Sequence, residues 1–166
     1  PGGFTFHGTG TYIIGRGDVA VIDPGPLDDA HIAALEKAVE GETVSHILIT
    51  HTHRDHSPAA APFKKTTGAP TYGYGPHGGD RGGPKVEEGG DYEFVPDHVS
   101  KDGDVIVGNG WSFEAIHTPG HTSNHVCFAL REENAIVSGD HGLGGSTSVI
   151  SPPDGNMAYY MNSLRK

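Results

Sequence analysis

Cysteine is almost absent from this chain of 166 residues: Cys127 stands alone, which excludes an intrachain disulfide framework and any cysteine-rich zinc site. Its neighbours Val126, Phe128, Ala129 and Leu130 are apolar. Cys127 therefore reads as a buried strand residue, since a reactive thiol needs a polar, electropositive setting. Positive charge is also scarce. Eleven Lys and Arg face 21 Asp and Glu, a formal net charge of -10. That balance disfavours a phosphate-driven nucleic-acid surface without excluding a small basic groove. Long apolar runs are missing, so no segment reads as a membrane span. No signal peptide is visible, and the chain opens on a proline, so the cytoplasmic placement expected from these absences is only loosely constrained.

Glycine and histidine are abundant instead. Twenty-six glycines point to turns and loops around a sheet, not to a helical bundle. The 12 histidines form no terminal tag-like run, so their placement decides their meaning. Residues 12–15 and 18–23 read as a hairpin closed by a glycine-containing turn. Apolar positions at helical spacing predict a helix over 27–40, ended by Gly41. The run 44–49 reads as a strand buried on both faces. Ser57 as N-cap and Pro58 at the first helical position predict a second helix to Thr67, stopped by Gly68. A short strand over 70–74 follows, then a glycine-rich insertion over about 73–91, read as a mobile surface loop with a lid over the site as its functional form. Hairpins are predicted for 104–107 with 111–117 and for 126–130 with 135–137, and a helix for 156–166. Alternation of strands and helices over this length implies one α/β (α+β) domain, 1–166.

The densest chemistry is His51-Thr52-His53-Arg54-Asp55-His56, directly after the apolar strand. A strand end running into a tight loop points alternate side chains to one side, so His51 and His53 can face one metal ion. Asp55 and His56 fall on the next turn, where they can hold a second ion. Imidazole and carboxylate are the donors that a hydrolytic zinc ion prefers. Two later pieces add to this: His117-Thr118-Pro119-Gly120-His121-Thr122, and Ser138-Gly139-Asp140.

In this order the three pieces resemble the metallo-β-lactamase superfamily, and the likeness extends to Gly8-Thr9-Gly10-Thr11-Tyr12 and Val21-Ile22-Asp23-Pro24-Gly25. The resemblance implies a four-layer αββα sandwich with metals at one edge of the two sheets. It implies that His51, His53 and His121 hold the first metal, that Asp55 and His56 hold the second, and that Asp140 bridges the two. Asp23 matches an aspartate that supports the site from behind. One or two zinc ions per chain are expected, with iron or manganese as the alternatives, and no other cofactor. Such a metal would lower the pKa of water toward about 7, and Asp55 is expected as the catalytic residue that orients the hydroxide and moves its proton. The family normally supplies one more histidine to the second metal, well beyond the bridging aspartate. No histidine follows His141 here, so the sandwich is expected to lack its C-terminal part.

Within the superfamily, the segments around 138–146 and 151–155 are most similar to the lactamase-β-like and glyoxalase II-like branch. Four readings stay open. One is a zinc hydrolase of an ester, thioester or amide with a small-molecule substrate. Another is a nuclease acting on phosphodiesters, which the acidic charge disfavours. The third is an iron-dependent, persulfide dioxygenase-like oxidoreductase, and the fourth a metal-bound domain without activity. His7, His31, His46, His77 and His98 read as structural or surface residues. His117 reads as surface or as support for the site, and His125 stands open between support and pocket.

Overall fold

The computed structural model describes residues 8–79 and 89–166; residues 80–88 of the glycine-rich insertion, and His7, lie outside the described residues. Strand β1 (Tyr12–Arg16) pairs antiparallel with β2 (Asp18–Ile22) across a turn at Gly17, whose φ of 75° suits a residue without a side chain. Helix α1 (Asp29–Ala38) starts at Asp28, whose carboxylate accepts the His31 N–H at 2.8 Å. Strand β3 (Thr43–Leu48) returns parallel to β2, and β4 (Thr71–Gly73) and the two-residue β5 (His98–Val99) add on its far side. This gives a five-stranded sheet in the order β1-β2-β3-β4-β5. The second sheet is an antiparallel meander of β6 (Val105–Val107), β7 (Ser112–His117), β8 (Val126–Leu130) and β9 (Ala135–Val137).

The alternation in β2 and β3 explains the layering. Val19, Val21, Val44, Ile47 and Ile49 point to one face, where they meet Leu35 and Val39 of the α1 region and Phe63 of α2 (Ala60–Thr67). Ala20, Ile22 and Leu48 point to the other face and pack on Ile106, Trp111, Phe113, Val126 and Phe128 of the second sheet. Each fully buried phenylalanine contributes about 1.5–3 kcal/mol through that burial. Val44 and Ile47 share a face despite their odd spacing because the register slips between Val19 and Ala20, leaving Ser45 as the extra residue. The Ser45 hydroxyl then donates to Asp18 Oδ1 at 2.8 Å.

Helix α3 (Met157–Ser163) begins at Asn156, whose side chain accepts the Tyr159 N–H, and lies against the loop leaving β7. The Ser163 hydroxyl donates there to the Pro119 carbonyl at 2.8 Å. The result is a mixed α/β fold of two packed sheets with α1 and α2 on one outer face.

One local expectation is corrected, and one element has no sequence signal. Helix α2 starts at Ala60, not at Ser57, and its N-terminus has no side-chain cap. The Ser57 hydroxyl is drawn away to Asp91 Oδ2 at 2.6 Å, a tertiary partner that local spacing does not reveal. The edge strand β5 is the element without that signal. It is two residues long and carries no alternation to read. Among the described residues no helix is long and apolar enough to cross a membrane.

Candidate metal centre

The six residues expected to bind metal all lie on connections leaving the C-terminal ends of strands. His51, His53, Asp55 and His56 follow β3, His121 follows β7, and Asp140 follows β9. Asp23 follows β2. Packing the two sheets face to face brings these strand ends to one edge, so residues far apart in sequence meet there.

Thr50 ties the edge together. Its N–H donates to Asp23 Oδ1 at 2.8 Å, its hydroxyl to Asp23 Oδ2 at 2.7 Å, and its carbonyl accepts from Val126 N–H at 2.8 Å. One residue thus joins both sheets at the site. Asp23 takes a left-handed backbone conformation, φ 49°, which aspartate tolerates better than most residues. The next turn is locked by Gly25, whose N–H donates to the His56 carbonyl at 2.9 Å and whose carbonyl accepts from Ala59. His31, expected to be structural, closes the same turn through Nε2 against the Pro24 carbonyl at 2.8 Å.

The imidazoles have directions that can be worked out. The Thr50 hydroxyl spends its proton on Asp23, so at 3.1 Å it accepts from His51 Nδ1–H, which leaves a lone pair on His51 Nε2. His121 Nδ1–H donates to the Val149 carbonyl at 2.6 Å, which leaves a lone pair on His121 Nε2. Both lone pairs aim at His53 Nδ1, at 3.1 and 3.0 Å. A single proton on His53 can serve only one of them. A cation at the common point satisfies all three. Tetrahedral zinc with Zn–N bonds of about 2.0–2.1 Å places its donor atoms about 3.3 Å apart, close to this spacing.

Burial keeps these rings neutral. It lowers His51 well below the ordinary histidine value and lowers His121, and it pushes His53 down to about 3, with the neighbouring histidines acting in the same direction. Neutral imidazole is the form that binds metal.

His56 stands in the opposite environment. Its burial opposes a charge, but the Asp23, Asp140 and Asp55 carboxylates outweigh that and hold it well above the ordinary value. Nδ1 donates to Asp23 Oδ2 at 2.9 Å. Nε2 is buried without a hydrogen-bond partner and lies 3.3 Å from both Asp55 Oδ2 and Asp140 Oδ1. A metal ion among these three donors fits that orphaned nitrogen. Asp140 also reaches toward the first group, with Oδ2 3.6 Å from His121 Nε2, so its carboxylate stands between the two clusters. The donor atoms of His51, His53 and His121 lie within 4.8 Å of one another, as do those of His51, His56 and Asp140. The His/Asp cluster therefore fits a metal ion. Asp55 stays ionised: burial works against it, but the neighbouring His56 ring and the hydrogen bond from the Thr9 hydroxyl hold its carboxyl well below the carboxylate range.

Other histidines sort by position. His125 does not join the converging donors. It stacks behind His51 at 5.1 Å between ring centroids and bonds Thr118 through Nδ1. His117 stacks on Tyr74 at 3.6 Å, and its Nε2 meets the Ser123 carbonyl at 3.0 Å. His46 and His98 flank Tyr72 in a ring stack on the sheet, as structural residues. His77, expected to be structural or at the surface, is half-buried, meets the Thr52 hydroxyl through Nδ1 at 2.8 Å, and packs edge-on to Tyr92 with its ring 5.8 Å from that of His53. Only the pairing of its loop with Thr52 and Asn124 brings it there, and local sequence holds no sign of that. Cys127 is buried as expected, with burial pushing its thiol up to about 11.

The chain is similar over nearly all its length to curated fungal proteins. It is 35% identical over 171 residues to the atrochrysone carboxyl ACP thioesterase AgnL7 of Paecilomyces divaricatus, covering 99% of this chain and 48% of that one. The chain thus spans about half the length of the curated relatives it matches. Among solved structures, BLEG-1 B3 metallo-beta-lactamase superposes with a TM-score of 0.76 at 23% identity, over 95% of this chain and 79% of that one. TTHA1623 in a di-iron-bound form superposes at 0.72 and 24% identity, over 93% and 78%. The family model described as the metallo-beta-lactamase superfamily matches residues 5–166, and the chain belongs to that superfamily.

Proposed function

We propose that this chain carries the metal centre of a hydrolase that cleaves thioesters. The observation that carries the reading is the meeting of three neutral imidazoles, His51, His53 and His121, beside the carboxylate-rich group of Asp55, His56 and Asp140. The thioester as substrate rests on the relative named a carboxyl ACP thioesterase. A nitrogen and carboxylate donor set suits zinc, one or two ions per chain, and iron is the competing ion because a protein of this fold has been seen with two irons.

In this reading His51, His53 and His121 would hold one ion, and Asp55 and His56 a second, with Asp140 as a further donor. When bound, the ion would supply Lewis acidity and bring the pKa of water toward neutrality. The protein's own residues do the rest. Asp55, already ionised, orients the water and takes its proton as the oxygen attacks the thioester carbonyl carbon. The carbon–sulfur bond then breaks, and Asp55 returns the proton to the departing thiolate. Asp23 keeps His56 turned toward the cluster through Nδ1, and the Val149 carbonyl does the same for His121. No serine or cysteine nucleophile is required, in keeping with the buried, high-pKa Cys127.

The test is a panel of thioesters, carboxylic esters, β-lactams and single-stranded RNA, run with metal-free and zinc-loaded protein. Zinc-dependent release of thiol is expected. Activity confined to RNA or β-lactams contradicts the thioester assignment, and stoichiometric iron with oxygen consumption favours the oxidoreductase reading.

A further inference from the structure

The segment Gly8-Thr9-Gly10-Thr11 precedes β1, belongs to no helix or strand, and supplies none of the converging donors. Its backbone is nevertheless pinned to the edge where those donors meet. The Thr11 hydroxyl donates to the Asp23 carbonyl at 2.7 Å, which fixes the segment beside the residue that supports His56. Gly8 has a φ of 112°, a conformation that residues with a side chain rarely adopt, so the chain turns there as it reaches Thr9. The Thr9 hydroxyl then bonds Oδ2 of Asp55, 46 positions away in sequence. An ionised carboxylate has no proton to give, so the threonine is the donor.

That donor meets a side chain whose direction is otherwise soft. The carboxylate of an aspartate turns about its last bond in a broad, roughly two-fold well, so its plane is weakly set by the side chain itself. Asp55 Oδ2 also lies 3.3 Å from His56 Nε2, so one oxygen is met from two sides, by a hydroxyl outside the donor clusters and by a ring within one. The other two carboxylates are held differently. Asp23 is bound by the Thr50 N–H and hydroxyl and by His56 Nδ1. Among the described residues no hydroxyl reaches the Asp140 carboxylate, and Ser148 donates to the Asp140 backbone carbonyl instead, at 2.7 Å. Tying the segment down is work that Thr11 and the pairing of β1 with β2 already do. What Thr9 adds is a direction for Asp55.

We propose that Thr9 is a positioning residue of this site, its hydroxyl setting the plane of the Asp55 carboxylate for its work as metal donor and proton carrier. The proton-carrying part of that work rests on the hydrolase reading above. Without the hydroxyl the carboxylate is free to turn, and its oxygens spend less time in the direction the site requires. Supporting partners of this kind typically contribute about 10–100-fold to metal affinity or activity.

The experiment compares wild type, Thr9→Val and Thr9→Ser by two readouts. One is turnover of an N-acetylcysteamine thioester by the zinc-loaded protein, and the other is zinc affinity in competition with a chromophoric chelator. Thr9→Val keeps the shape of the side chain without the hydroxyl, and Thr9→Ser keeps the hydroxyl without the methyl. The expected result for Thr9→Val is a kcat about 10-fold lower with KM changed little, and about 10-fold weaker binding of the weakest-held zinc equivalent. Thr9→Ser should recover most of both. Thr9→Ala should match Thr9→Val, so that if either fails to fold the other decides. Wild-type kcat and zinc affinity in Thr9→Val overturn the assignment, as does equal loss in Thr9→Val and Thr9→Ser. A rise in KM alone also overturns it, since that marks a segment that only shapes access for the substrate. A wild type that binds zinc but turns over no thioester overturns the hydrolase reading instead, and the zinc competition then still decides the part played by Thr9.

Discussion

His51, His53 and His121 meet as uncharged rings, whereas His56, only one turn away, is wrapped in the carboxylates of Asp23, Asp55 and Asp140. The first group is supported on its outer sides by neutral acceptors, the Thr50 hydroxyl and the Val149 carbonyl, each of which sets a tautomer and frees a lone pair. The second is assembled from charges. Asp55 and Asp140 are held ionised largely by His56, and the three carboxylates in turn raise His56. The difference teaches that the two groups answer to different forces. Geometry presets the imidazole cluster. Charge balance governs the carboxylate cluster, which therefore depends more on what occupies it.

The largest effect should come from breaking the imidazole cluster. His53→Ala removes the nitrogen on which the other two converge and should take metal content and thioester turnover to background with the fold intact, as read by elemental analysis and circular dichroism. The next should separate the groups: Asp140→Asn weakens the charge that links them and should lower turnover strongly while the imidazole cluster keeps its ion, a split visible in stoichiometry before and after dialysis. Asp23→Asn acts from behind His56. Loss of such a supporting carboxylate typically costs about 10–100-fold in metal affinity or activity, and a competition titration with a chelator measures it. Gly139→Ala tests packing rather than charge. Its φ is 50°, and a Cβ would come within 2.6 Å of Thr50 Oγ1 and 2.8 Å of His125 Nε2, so about 1–3 kcal/mol of stability should be lost in chemical denaturation. The smallest expectation concerns Cys127, whose thiol at about 11 should resist a thiol reagent at pH 8 until the chain is unfolded.

The donor residues were legible because they are clustered and chemically distinctive. Four of them lie within six residues after an apolar strand, and the strands before His121 and Asp140 carry clear patterns. The hairpin of β1 and β2, the first helix and the second sheet followed from alternation, spacing and glycine turns. What escaped depends on partners distant in sequence. Ser57 looks like a cap until Asp91 arrives from the far side of the insertion, and Thr50 looks like one more strand residue until Asp23 and Val126 close on it. His77 sits in a glycine- and proline-rich stretch that has no period, and only Thr52 and Asn124 give it a direction. The end of the insertion is tied down too, with Asp91 N–H on the Thr52 carbonyl at 2.7 Å and Arg54 N–H on the Gly89 carbonyl at 3.0 Å.

The most direct measurement is a titration of zinc into metal-free protein with thioester hydrolysis followed at each addition. The account predicts that turnover rises in step with occupancy, saturates at one or two ions per chain, and does not appear in His53→Ala. Hydrolysis at full rate in metal-free protein, or saturable zinc binding that survives His53→Ala unchanged, would contradict it.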